Sequence, residues 1–373
     1  MSREQWEQAR KVLIVRLDSL GDVLMCTPAM RAIKHSRPGR VLTLLTSPAG
    51  AAAAHFIPEL DGVLAYPAPW IKSSGERSAI VDADMITRIA ARQFDAAVIL
   101  TSYSQSALPA ALLCHLAGIP LRLAHCRENP YWLLSDWVPE TEPDQMVRHE
   151  VQRQLDLAAS IGCQTANTQL SFRVPDVALA YVRRLLLSRS VSAYTPFILL
   201  HPGASAPSRR YPAHLWSQAI DAIAEHHSAS IVLTGDASEI GLIDEIREAC
   251  AGPVISLAGQ LDLGQLGAAI SLASVVVSNN TGPAHMAAAI GTPLVDLYAL
   301  TNPQHTPWQV EHRILFHDVP CRFCYKSLCP EGHHACLTKV EPLRVAQAVR
   351  SLLEQAPATR APQAGLPWPR QGS

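Results

Sequence analysis

The chain has 373 residues, 48% hydrophobic and 17% charged, with 31 basic side chains against 32 acidic ones. This describes a folded protein with room for two ordinary domains, and the balanced charge excludes an electrostatic case for nucleic-acid binding. The polar start Met1 to Lys11, the short apolar run Val12 to Val15 and the lack of any stretch of roughly 20 apolar residues exclude an ordinary signal peptide and a spanning helix; a cytoplasmic protein is expected, with at most peripheral membrane contact.

In chain order, Lys11 to Val15 reads as a strand, Arg16 to Gly21 as a loop, and Asp22 to His35 as one helix. Strands follow at Val41 to Leu45, Gly62 to Tyr66 and Ala96 to Leu100, with helices at Asp82 to Arg92 and Ser106 to Ala117 between them. Leu170 to Pro175 is extended, Val177 to Ser188 helical, and Ser192 to Pro196 leads into a second unit. Its strands are Phe197 to His201, Ser230 to Thr234, Val254 to Ser256, Val275 to Ser278 and Leu294 to Leu297, with helices near 212–227, 238–250, 262–272 and 283–290. Strands alternating with helices predict an α/β protein of two doubly wound Rossmann-like domains, with parallel sheets facing a cleft at the strands' carboxyl ends. The domains are drawn at 1–175 and 176–355, and the last helix, Pro342 to Gln355, is expected to pack back on the first. The tail 356–373 holds four prolines and no periodicity and is predicted disordered.

Polar residues gather just past the predicted strand ends. After the first strand, Arg16-Leu-Asp-Ser-Leu-Gly-Asp-Val23 places Asp22 at a helix N-terminus. There it caps the helix or serves as a general base for an acceptor hydroxyl, with Asp18 the competing carboxylate and Ser19 and Gly21 as backbone contacts. In the second half, His201-Pro-Gly-Ala-Ser205 and Ser208-Arg-Arg-Tyr-Pro212 supply Gly203, Ser205 and the forks of Arg209 and Arg210, which suit phosphate. Thr234-Gly235-Asp236 ends the next strand, and Glu239 is an acid for ribose hydroxyls or for a cap. Ser278-Asn-Asn-Thr-Gly-Pro-Ala-His285 opens an alanine-rich helix with Pro283 at its first turn, which points backbone N–H groups and the helix dipole at one spot suited to a diphosphate. Neither Gly-x-Gly-x-x-Gly nor a Walker loop follows the first strand.

Together, Val12-Leu-Ile-Val-Arg-Leu-Asp-Ser-Leu-Gly-Asp-Val-Leu24, His201-Pro-Gly-Ala, Ser208-Arg-Arg-Tyr-Pro212 and Ser278 to His285 resemble glycosyltransferase family nine, the ADP-heptose:lipopolysaccharide heptosyltransferases, over about residues 11 to 353. The resemblance implies a GT-B fold and an inverting, metal-independent transfer from a nucleotide diphosphate sugar, ADP-heptose favoured, to a lipopolysaccharide core or related glycan at the inner face of the inner membrane. By position it makes Asp22 the base. It puts Arg209 where the family binds donor phosphate through lysine, Thr281, Gly282 and His285 in the donor turn, and Glu239 near the nucleoside. Asn280 stands where the family usually has Asp, which bears on the identity of the donor sugar. No cofactor is implied for catalysis.

Two readings remain beside this one: a sugar-nucleotide epimerase, which would act without acceptor, and a non-catalytic nucleotide-sugar-binding module. Cys321, Cys324, Cys329 and Cys336, with His333 and His334 nearby, have the ligand types of a structural zinc site, and equally of one or two disulfides or of unligated thiols.

Overall fold

The computed structural model describes residues 3–71, 78–191 and 195–355; the tail predicted to be disordered lies outside them. The first half carries strands β1 Lys11–Val15, β2 Val41–Thr46, β3 Gly62–Ala65, β4 Ala96–Ile99, β5 Leu121–Cys126 and β6 Asp136–Pro139. Its helices are α1 Arg3–Gln8, α2 Leu20–Met25, α3 Thr27–His35, α4 Pro48–Ala54, α5 Ala79–Ala91, α6 Leu108–Leu116 and α7 Glu150–Ser160. The second half runs α8 Asp176–Ser188, β7 Phe197–His201, α9 Ala213–His226, β8 Ser230–Leu233, α10 Ile240–Glu248, β9 Ile255–Ser256, α11 Leu263–Leu272 and β10 Val275–Asn279. It ends with α12 Gly282–Ile290, β11 Leu294–Leu297, β12 His312–Leu315, α13 Ala335–Thr338 and α14 Pro342–Gln355.

The doubly wound expectation holds. One parallel sheet is ordered β3-β2-β1-β4-β5-β6 and the other, read from its far edge, β9-β8-β7-β10-β11-β12. The two orders are the same, with the sequence of strands reversing between β1 and β4 and again between β7 and β10. Those reversals open the crevices in which such sheets hold ligands. The central strands are nearly continuous apolar runs because helices cover both faces: β1, β4, β7 and β10 are buried along their length apart from Lys11.

Three features differ from the sequence expectation. The predicted helix from Asp22 to His35 is two, α2 and α3, because Pro28 has no N–H to give the carbonyl of Leu24, and Thr27 donates its hydroxyl there instead at 2.7 Å. β5, β6, α7 and β12 were not expected. In β5 the charge of Arg122 interrupts the apolar pattern, yet its guanidinium is absorbed by the carbonyls of Leu133 and Trp132, at 2.7 and 2.8 Å. The last helix does not return to the first half. Val345, Val349 and Leu352 of α14 pack with Ile220 and Ile223 of α9 in the core of the second half.

The halves are joined by apolar packing. One buried cluster runs from Val12 and Leu42 through Val182 of α8 to Phe197 and Val276. Phe56 and Phe172 stack at 4.9 Å against α11, where a Cβ at Gly267 would stand 2.5 Å from the Phe172 ring. Near the crevices α2 lies directly on α12.

Candidate active site

The loop after β1 is organised by Arg16, whose side chain is 1% exposed. Its Nε lies 2.8 Å from Asp18, its Nη1 2.6 Å from Glu150 and its Nη2 3.4 Å from Asp22. One guanidinium therefore faces three carboxylates, Asp18 in its own loop, Asp22 in the first turn of α2 and Glu150 at the start of α7. Asp22 also accepts from the backbone N–H and the hydroxyl of Ser19, at 3.1 and 2.6 Å, so it closes the first turn of α2 as a cap. Burial alone would raise the Asp22 carboxyl; Arg16, then His305, the Ser19 hydroxyl and His285 outweigh it and hold the group well below the carboxylate range. Asp18 goes the other way, raised by burial and by the Asp22 charge against the pull of Arg16 and the Gln105 amide, which donates to it at 2.7 Å. The two carboxylates the sequence left in competition are thus distinguished by their surroundings: Asp22 is firmly ionised, Asp18 less so.

On the other sheet, the amide of Asn279 ties the end of β10 to the loop after β7. It donates to the Pro202 carbonyl at 2.6 Å and accepts from Tyr211 N–H at 3.1 Å. The Glu239 carboxylate lies over Gly203, where a Cβ would collide with it, and accepts from Asp236 N–H at 2.9 Å. Burial pushes Glu239 up, against the Asp236 N–H. The arginines separate in role: Arg210 is exposed and donates to the Ala204 carbonyl at 2.7 Å, whereas half-buried Arg209 acts electrostatically on His285, Asp296 and His305. Ser205 is exposed at the rim. Thr281 is the N-cap residue of α12, and Gly282 opens that helix against Leu20 of α2.

His285 is where the halves meet. A Cβ on Gly21 would stand 2.5 Å from its Cδ2, so the ring rests on the bare backbone of α2. Burial and the neighbouring His305 push His285 down to about 3, against the pull of Asp22. The sequence reading did not single out Arg16, Glu150, His305 or Asp296 for roles. Arg16 carried a usable signal, a cation straight after a buried strand; Glu150 sits on a helix that was not anticipated, and His305 in a loop with no periodicity. His305 and His285 stand edge to face at 6.4 Å. Asn280, predicted to meet the donor, is 3% exposed and its amide is taken up internally, donating at 2.9 Å both to Asp296 and to the His305 carbonyl. A carboxylate at 280 would face the buried acid Asp296, whereas the Asn amide donates to it.

The cysteine loop abuts the donor side. Ser208 donates from its N–H to the Ser327 carbonyl at 3.0 Å and from its hydroxyl to that of Lys326 at 2.8 Å. Tyr325 reaches across the halves to hydrogen-bond Tyr103. Cys321, Cys324, Cys329 and Cys336 line one cavity of about 20 Å³ with His333 and His334, and Cys321 Sγ is 3.9 Å from His333 Nε2. None of the four is joined in a disulfide, and among the described residues no group of three or more His, Cys, Asp or Glu side chains is arranged to hold an ion. The donor set suits zinc and the arrangement does not, so no step is routed through a metal. No described helix is long and apolar enough to cross a membrane.

The sequence profile of glycosyltransferase family 9 (heptosyltransferase) matches residues 83–335. The chain is 26% identical over 368 residues to lipopolysaccharide heptosyltransferase 2 of Escherichia coli (strain K12), covering 93% of this chain and 100% of that protein. A family 9 glycosyl transferase from Veillonella parvula superposes with a TM-score of 0.79 at 19% identity, over 93% of this chain and 98% of that one. The E. coli heptosyltransferase WaaC with ADP-2-deoxy-2-fluoro heptose superposes with a TM-score of 0.62 at 18% identity, over 92% and 99%.

Proposed function

The chain belongs to glycosyltransferase family 9, with the GT-B fold, and from that premise we propose that it moves heptose from ADP-heptose to a sugar hydroxyl of a lipopolysaccharide core, with inversion and without a catalytic metal. The observation that carries this reading is the direct packing of α2 on α12, which brings Asp22 and the donor turn to either side of the Gly21–His285 contact. The ADP diphosphate lies against the N-terminus of α12 and Arg209, and Glu239 takes the nucleoside end. Asp22 receives the proton of the acceptor hydroxyl as its oxygen attacks the anomeric carbon from the face opposite the departing diphosphate. A fixed cation and a helix dipole offset the charge that develops on the leaving group, the task a divalent ion performs elsewhere. The acceptor is a lipid-anchored glycan met at the cytoplasmic face of a membrane, where the enzyme binds peripherally.

The test is transfer from ADP-heptose to a heptose-deficient core acceptor, followed by mass spectrometry, beside calorimetry with ADP, UDP, GDP and CDP. Asp22→Asn should lower kcat by about 10²- to 10⁴-fold while ADP still binds. Full turnover in that variant would remove Asp22 as the base. Preference for a nucleotide other than ADP would replace the donor.

A further inference from the structure

At the junction between the halves, two buried polar atoms that find no hydrogen-bond partner among the described residues face one another. Glu150 Oε2 and His305 Nε2 are 4.0 Å apart, the first on a side chain with no exposure and the second on one 12% exposed. The other oxygen of Glu150 is fully used, by Arg16 at 2.6 Å and by the amide of Gln154 at 2.9 Å. Two unsatisfied groups side by side in a buried site call for an explanation, since each forfeits its hydration. A proton between them supplies one: an Nε2–H turned onto the idle oxygen satisfies both, and the imidazolium, a charge-assisted donor, does so more strongly than the neutral Nε2–H tautomer.

The charge around them points the same way. With both histidines neutral, the single Arg16 guanidinium faces Asp18, Asp22 and Glu150 together. Asp22 accepts from Ser19 N–H, Ser19 hydroxyl and Arg16, so a proton placed on it costs part of that pattern. An acid held ionised this firmly is a poor place to store a proton. His305 is within the electrostatic reach of Asp22 and Glu150, which favour its cation, and of Arg209 and Arg16, which oppose it, while burial disfavours charge most. His285 of α12 and His149 at the start of α7 are the remaining titratable neighbours. The loop that carries His305 is held from three sides: the Asn280 amide donates to its carbonyl, Glu150 N–H to the Gln304 carbonyl at 3.0 Å, and His149 Nε2 lies 2.8 Å from the Thr306 carbonyl.

We propose that His305, paired with Glu150, stores the proton released by the acceptor hydroxyl, Asp22 passing it on. This rests on the transferase reading and deepens it. The acceptor O–H bond breaks as the new glycosidic bond forms, the anomeric C–O bond to the diphosphate breaks with its electron pair leaving on ADP, and the proton moves through Asp22 to the imidazole. The imidazolium pairs with Glu150 Oε2 and loses its proton to solvent once products leave. Glu150 acts through His305 and Arg16 and is a positioning residue. Its place on the first half and that of His305 on the second mean that the store is complete only when the halves are together.

The test is the pH dependence of kcat in wild type, His305→Gln and Glu150→Gln, together with an NMR titration of the His305 ring, assigned by its loss in His305→Gln. In wild type the acid limb of kcat should lie in the histidine range, below the usual value near 6.5. His305→Gln should abolish that limb and lower kcat by about 10- to 100-fold, with ADP affinity within about twofold of wild type. Glu150→Gln removes a charge that favours the cation, so both the limb and the NMR titration should move to lower pH. An acid limb unchanged in His305→Gln, or a His305 titration indifferent to Glu150→Gln, overturns the proposal. The NMR arm needs no turnover, so a protein that failed to transfer heptose would refute the transferase reading while leaving the His305–Glu150 pair separately tested.

Discussion

Gly21→Ala tests the closed contact between the halves most directly. Gly21 lies inside α2, where replacing glycine by alanine ordinarily stabilises a helix by about 1 kcal/mol. Here the added methyl would stand 2.5 Å from Cδ2 of His285 and 3.3 Å from its Cγ and Nε2. The obstacle is the body of a ring 5% exposed, which has no free end to swing aside. Overpacking of this kind costs about 1–3 kcal/mol, so the net effect is a loss of roughly 0–2 kcal/mol. For domains of this size that lowers Tm by up to about 8 °C. The larger effect falls on turnover, because α12 must move away from α2 and carries the donor turn away from Asp22. A misplacement near 1 Å can cost about 10²-fold, and kcat/KM should fall by about 10- to 100-fold. Thermal melting and the heptosyl-transfer assay read the two effects separately. Adding His285→Ala should restore Tm without restoring turnover, since it frees the space and deletes a ring of the donor turn. A Gly21→Ala protein at least as stable as wild type, with full kcat/KM, would refute the contact and the reasoning built on it.

Three further outcomes follow from the same geometry. Gly203→Ala should displace the Glu239 carboxylate, the end of a flexible side chain, and weaken ADP binding by about 5- to 10-fold with little change in Tm; unaltered affinity by calorimetry would separate Glu239 from the nucleoside. Asp296 is pushed up to about 7 by burial, so its folded value lies above the unfolded one. Its contribution to stability is then fully present below the unfolded value near 3.8 and is lost as pH rises through about 7. The stability difference between wild type and Asp296→Asn, from guanidinium melts, should shift against wild type between pH 5 and pH 8, and a constant difference would remove the effect. Arg16→Met leaves Asp18, Asp22 and Glu150 buried without their shared cation and should cost about 3–5 kcal/mol; a wild-type Tm would contradict the clamp.

What the sequence determined by itself was whatever rests on local pattern. Runs such as Val12 to Val15 and Val275 to Val277 are apolar on both faces, which only a covered parallel sheet accommodates. Residues that follow the strands flanking a reversal of order lie near the switch point, so Asp22, Gly203, Arg209 and His285 were legible from the sequence as residues of the crevices. The tertiary structure decided what depends on distance along the chain. Glu150 meets Arg16 from 134 positions away, on a helix whose Gln154 and Arg153 are buried polar residues that blur the apolar stripe. His305 comes from a loop held by Asn280, Glu150 and His149, contacts that no spacing encodes. Asn280 read as a change at the donor because its partner, Asp296, lies on the next strand, where the β10–β11 register puts it beside the end of β10. Burial raises Asp296 and lowers His305, whereas Arg16 overrides it at Glu150, and both the burial and the pairing are properties of the packed halves and not of any segment.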